Sequence, residues 1–196
     1  SYNNGMHTPP LMSSYERYTL GWVSPIVIDK PMDAELKANS GKCYVVETDR
    51  ANEFFMLECR TKNDDSNVWD SYLKASGLMV WHIDFSKRNW TYNNVNNDAK
   101  HQRIDLVEAD GSYGPYSYSG DLFPGPNDLY TEFTADTYPA FLSWNEVDPG
   151  FPLTEIAYDK ATHTVTFKVA GGGEKDGIAD IDADNNNAPV EYFNLQ

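Results

Sequence analysis

Four apolar residues follow one another at Leu78, Met79, Val80 and Trp81. A strand with one wet face alternates, whereas a continuous run must be covered throughout, so residues 78–84 predict a buried strand. The chain must therefore supply further strands around it. GKCYVVET and NEFFMLECR are strand-like runs on either side of DRAN, a polar turn. PLTEIAYDKATHTVTFKVA predicts a second hairpin, with Ile156 and Tyr158 before Asp159-Lys160 and with Val165, Phe167 and Val169 alternating after it. RIDLVEADG has strand character and ends in the turn signal Asp110-Gly111.

Other segments fill in the frame. TPPLMSSYERYTLGWV predicts one short helix, with Pro9 and Pro10 near its start and Gly21 as its stop. Leu11, Tyr15, Tyr18 and Trp22 make its apolar stripe. SKRNWTYNNVNNDAKHQ predicts a surface loop, and residues 112–152, dense in Gly, Pro, Tyr and Ser, predict an irregular segment pinned by something. Beyond Ala170, Gly171 to Gly173 predict a hinge, followed by an acidic, Asn-rich linker. The expected architecture is mainly β, with an α+β character limited to one short N-terminal helix. It is an antiparallel, sandwich-like domain over residues 1–170 with long irregular loops, and 171–196 form the linker.

Composition narrows the function classes. The 5 Trp, 13 Tyr and 9 Phe suit half-buried pleated surfaces. A formal net charge of −15 leaves no basic stripe to neutralise phosphates, which argues against nucleic acid as a partner. No apolar run approaches the ~20 residues of a membrane span. No signal peptide is recognisable, and SYNNG and EYFNLQ do not resemble natural termini, so the chain reads as a monomeric piece of a longer exported protein.

Folding the first hairpin about Ala51 sets Cys43 opposite Cys59. Cross-strand Cβ atoms lie ~4.5–5.5 Å apart, so a disulfide is one expectation in an oxidising compartment, and two buried free thiols are the other. His82, Asp84 and His101 together offer three side chains of types that zinc accepts. They lack the dense spacing of a metal motif, however, and His101 comes from a loop. The expectation is a structural His82, hydrogen-bonded to backbone or to a carboxylate. Asp121, in the tight GDLFPGP turn, is either a calcium ligand or a cap on backbone N–H groups. Asp180, Asp182 and Asp184 resemble the start of a calcium loop, but Asn185 stands where a glycine is needed, which favours an acidic linker. No GxSxG occurs, and no self-sufficient catalytic constellation is visible.

Several segments nevertheless resemble, in order, one family. Glu16, Arg17, Leu20, Gly21 and Trp22 match the second half of a P-x-x-x-S-x-x-E-R-x-x-L-G-W pattern of secreted metalloproteases of the immune inhibitor A type, peptidase family M-six, with Pro10 and Ser14 one residue out of its spacing. Phe55, Leu57, Glu58 and Arg60 resemble that family's F-L-[IL]-E-x-R strand, with Met56 at its second position. GLMVWHID, VEADG, GDLFPG and the closing LTEIAYDKATHTVTFKV resemble later landmarks, so the likeness spans residues 1–170. The tail DIDADNNNAPVEYFNLQ is similar to the start of a C-terminal segment of exported Bacteroidetes-type proteins.

The resemblance implies a parent zinc endopeptidase whose HExxH helix and Met turn lie upstream, so no catalytic residue maps onto this chain. It also implies zinc in the parent, with a protein or peptide substrate and the N-terminal catalytic portion as partners. Proximity to that upstream site marks Tyr2, Asn3, Asn4, Met6 and His7 as expected floor of the substrate cleft. Two other readings stand beside it. One is an extracellular glycan- or protein-binding module using Trp and Tyr of residues 112–152. The other is a calcium-stabilised structural domain.

Overall fold

The computed structural model describes residues 7–62, 68–85, 88–114 and 116–173. Two sheets face one another. The first holds β1 (Ile26–Val27), β3 (Tyr44–Glu47), β4 (Glu53–Arg60), β5 (Gly77–Asp84) and β6 (Ile104–Leu106), in the order β1-β3-β4-β5-β6. The second holds β2 (Met32–Lys37), β8 (Thr164–Val169) and β7 (Leu153–Asp159), in the order β2-β8-β7. The mainly β, two-sheet architecture is the one expected, although β1 runs parallel to β3 and makes the larger sheet mixed.

The unbroken apolar runs are explained by cover on both faces. Leu78 and Val80 of β5 join Tyr44, Val46, Phe55 and Leu57 against Ala34, Leu36, Val165 and Phe167 of the smaller sheet. Met56, Val45 and Ile83 face the other way, onto Tyr15 and the partly buried Trp90. The smaller sheet is wet outside. Met32, Ala34 and Leu36 point in while Glu35 and Lys37 are exposed. This strand was not recognised in the sequence, despite its period-two pattern.

The helix is shorter than the sixteen-residue segment proposed for it. It spans only Ser14–Thr19 (α1), and Pro9 and Pro10 lie outside it. Ser13 is its N-cap: Ser13 Oγ accepts from Glu16 N, and the Glu16 carboxylate accepts from Ser13 N at 2.7 Å, forming a capping box. Gly21 ends it as expected, at φ 73°. Gly21 N donates to Tyr18 O and Trp22 N to Arg17 O, the paired bonds of a left-handed C-terminal cap. Trp22 does not continue the apolar stripe; at 60% exposure it points to solvent.

The irregular segment 112–152 is pinned by aromatic side chains. Phe123, Phe133 and Phe141 are buried in the main core, and Leu78 exchanges backbone hydrogen bonds with Phe123. A Cβ at residue 77 would collide with the Phe123 carbonyl, so Gly77, at φ 142°, lets the loop approach β5.

The disulfide expectation is overturned by one residue of register. Tyr44 pairs with Leu57, which places Cys43 opposite Glu58 instead of Cys59. A one-residue offset reverses the face of a side chain. Cys59 therefore lies in the inter-sheet core, whereas Cys43 is on the other face, near Ser14 and Arg17. Both are buried free thiols, each raised to about 12 chiefly by burial.

Candidate functional site

At the end of the larger sheet, β4 begins with Glu53 and β5 ends with His82-Ile83-Asp84. Glu53 pairs with Asp84 and Phe55 with His82 across the ladder, so the two acids and the histidine share one corner. Glu53 Oε1 lies 2.9 Å from His82 Nε2 and accepts from Trp144 N at 2.7 Å. An ionised carboxylate only accepts, so a hydrogen bond from His82 to such a group requires the hydrogen on Nε2. Glu53 Oε2 also forms a 2.8 Å ion pair with Arg50 Nε.

Asp84 is fully buried, and its Oδ2 lies 2.6 Å from His101 Nε2, with Arg50 and Arg103 at 3.6 and 3.7 Å. The rings stack above these acids. Phe55 to His82 is 4.1 Å, His82 to Trp144 is 5.2 Å and Trp144 to His101 is 4.0 Å, all within 20° of parallel. Trp144 is clasped between two imidazoles, each tied to its own carboxylate.

This geometry explains why His82 stands in an apolar run: it bonds a carboxylate and stacks on two rings. His82, Asp84 and His101 are brought together, but the Nε2 atoms of the two histidines are committed to different acids, His82 to Glu53 and His101 to Asp84. Among the described residues no group of three His, Cys, Asp or Glu is placed to hold a metal ion. The described residues at this corner therefore do not fit zinc. Glu53, Arg50, Arg103 and Trp144 were not singled out in the sequence. The contact between Glu53 and Trp144 spans 91 residues, beyond any local pattern.

A second network lies on the opposite face. The Glu58 carboxylate accepts from Ser14 N, Ser14 Oγ and Trp81 Nε1 at 3.1, 3.0 and 2.9 Å, and pairs with Arg17 at 3.4 Å. Arg60 donates through Nε and Nη2 to the two Asp70 oxygens at 2.8 and 2.6 Å, and from Nη2 to Leu11 O at 3.0 Å. Asp70 in turn accepts from Leu11 N. A six-residue helix is far too short to persist alone, so these bonds hold it to the sheet.

The remaining candidates are dispersed. Asp121 is 9% exposed; its Oδ1 is buried without a hydrogen-bond partner, so it does not act as the expected cap. Burial, then the Asp110 charge, raises its carboxyl to about 6. Glu108, close to Asp121, is raised to about 7, mainly by burial and further by Asp105, Asp121 and Asp110. His7 is exposed. Tyr2, Asn3, Asn4, Met6 and the acidic tail lie outside the described residues. Among the described residues no helix is long and apolar enough to cross a membrane.

Comparison with known proteins adds no relative: no protein-family model, no curated protein and no solved structure matches this chain.

Proposed function

We propose that this chain is a non-catalytic, C-terminal portion of a secreted zinc metalloendopeptidase, completing the protease fold and shaping one side of the substrate cleft. One observation carries the reading. Ser14 and Arg17 from one resembling motif meet Glu58 and Arg60 from another in a single buried network. The likeness thus falls on a physically coupled unit that clamps the N-terminal segment to the sheet, a role suited to joining a preceding portion. Zinc enters this reading only through ligands that the parent supplies.

The test is to produce the chain with and without the coding sequence upstream of Ser1. The longer product is expected to carry HExxH, hydrolyse a protein substrate and lose activity to a chelator, whereas the chain alone does neither. An upstream region without HExxH overturns the proposal.

A glycan-binding reading has its own observation. Tyr113, Tyr116 and Tyr138 are 74%, 101% and 81% exposed, and aromatic faces of this kind stack on sugars. Trp144, held between two histidines, is not part of such a platform. Binding to any member of a glycan panel, lost on Tyr138→Ala, would favour it.

A further inference from the structure

A cleft of about 410 Å³ separates the N-terminal segment from the outer face of β5 and β6. Leu11, Met79, Trp81, Leu106 and Leu122 line it with apolar surface, and Glu108 and Asp121 place carboxyl groups in the same lining. Its volume falls in the range of small-molecule sites, ~300–1,000 Å³, where apolar walls carry a few convergent polar groups. We propose that this cleft binds an organic cation: an ammonium group on an apolar stem, the chemistry of a lysine side chain.

The argument starts from Asp121. A carboxylate oxygen buried without a partner is costly, and structures rarely retain one unless something completes it. Asp121 Oδ1 is such an atom, on a residue nine-tenths buried, with Glu108 as the nearby second acid. Two acids repel an anionic ligand. Among the described residues there is no third group to make a metal site.

A compact ammonium instead meets the charge at the acids, lays its methylenes along Leu106 and Leu122, and draws on Trp81 by cation–π attraction. Two of the other charged groups of the lining are occupied by partners. Arg60 is bonded to Asp70, Glu16 to Ser13, and Lys74 is exposed. The site is independent of any protease activity, because it rests on this chain's own cleft.

Calorimetry and thermal melts test it with three probes: pentylammonium, N-acetyl-lysine methylamide and the uncharged norleucine counterpart. Both cations are expected to bind and raise the melting temperature, with norleucine at least ~10-fold weaker, about 1.4 kcal/mol. Binding of the lysine derivative without pentylammonium would identify a peptide side chain as the source, and binding of both a free amine. Asp121→Asn is expected to weaken either cation ~10-fold or more, and Glu108→Gln by a smaller factor. Equal binding of norleucine, no binding at millimolar probe, or stabilisation by calcium chloride alone would overturn the proposal. If Asp121→Asn fails to fold, Glu108→Gln decides, and unchanged cation affinity in that variant also overturns it.

Discussion

Arg60 and Asp70 meet through two near-parallel hydrogen bonds, although one sits at the end of a strand and the other in a short 3-10 turn. Both are buried, at 5% and 0% exposure, so neither charge has water to fall back on. Removing one partner of such a pair costs about 3–5 kcal/mol where the charge left behind is uncompensated, and Glu58, 3.6 Å from Arg60, keeps the loss towards the lower end of that range. Asp70→Ala is therefore expected to lower unfolding free energy by that amount in urea titration. It also frees Leu11 N, which Asp70 accepts from. Arg60→Met combined with Asp70→Leu is expected to recover most of the loss, since buried ion pairs are often replaceable by apolar residues. A double variant as unstable as Asp70→Ala would mean that the contact to Leu11 dominates.

His82 combines two contributions that substitution can separate. Its bond to Glu53 involves a charged acceptor, and its ring stacks between Phe55 and Trp144. His82→Ala loses both and is expected to cost about 2–4 kcal/mol. His82→Phe keeps a ring and is expected to cost about 1–3 kcal/mol, because Glu53 retains Trp144 N and Arg50. Urea melts followed by Trp fluorescence give the order. Stoichiometric zinc in the parent chain, lost in His82→Ala without change in stability, would defeat this structural account.

How much of this was legible follows from range. The buried strand at 78–84 and the closing hairpin could be read locally, because apolar periodicity is set within a few residues. The Met32-Ala34-Leu36 alternation was equally local and was passed over, as was the Ser13–Glu16 capping signature. Register was not legible. DRAN announces a turn, but the connection runs from Thr48 to Asn52, with Asn52 at φ 67°, and nothing in the letters sets that length. The site was half visible: His82 and Asp84 stand together on one strand. Trp144, Arg103 and Glu53 converge only after the long loop has folded back, and Asp121 reveals its orphaned oxygen only when its surroundings are assembled.

The cysteines supply a test of that register. With Cys43 and Cys59 on opposite faces and each thiol held near 12, thiolate is scarce at neutral pH. A disulfide-exchange reagent is expected to label neither in the native protein at pH 8, and both in guanidinium chloride. Reductant should leave the melting temperature unchanged. A melting temperature that drops on reduction would restore the disulfide and require the hairpin to pair one residue out.

Glu108 and Asp121 make stability depend on pH in a direction opposite to that of most carboxylates. Their folded values, about 7 and about 6, lie above the ordinary range, so the native state holds protons that the unfolded chain has released. Stability falls with pH wherever the native state binds more protons. The contribution of these groups is therefore complete below pH ~4 and is lost as pH rises through 6 to 7. Melting temperature should decline across that window. Glu108→Gln, which carries no charge at any pH, should flatten the decline and gain most over the parent chain at pH 8. Asp121→Asn is expected to act in the same sense over a lower window, because Asp110 is the charge beside it and Glu108 titrates above it. A melting curve whose pH slope is the same in Glu108→Gln as in the parent would place the titrating group elsewhere.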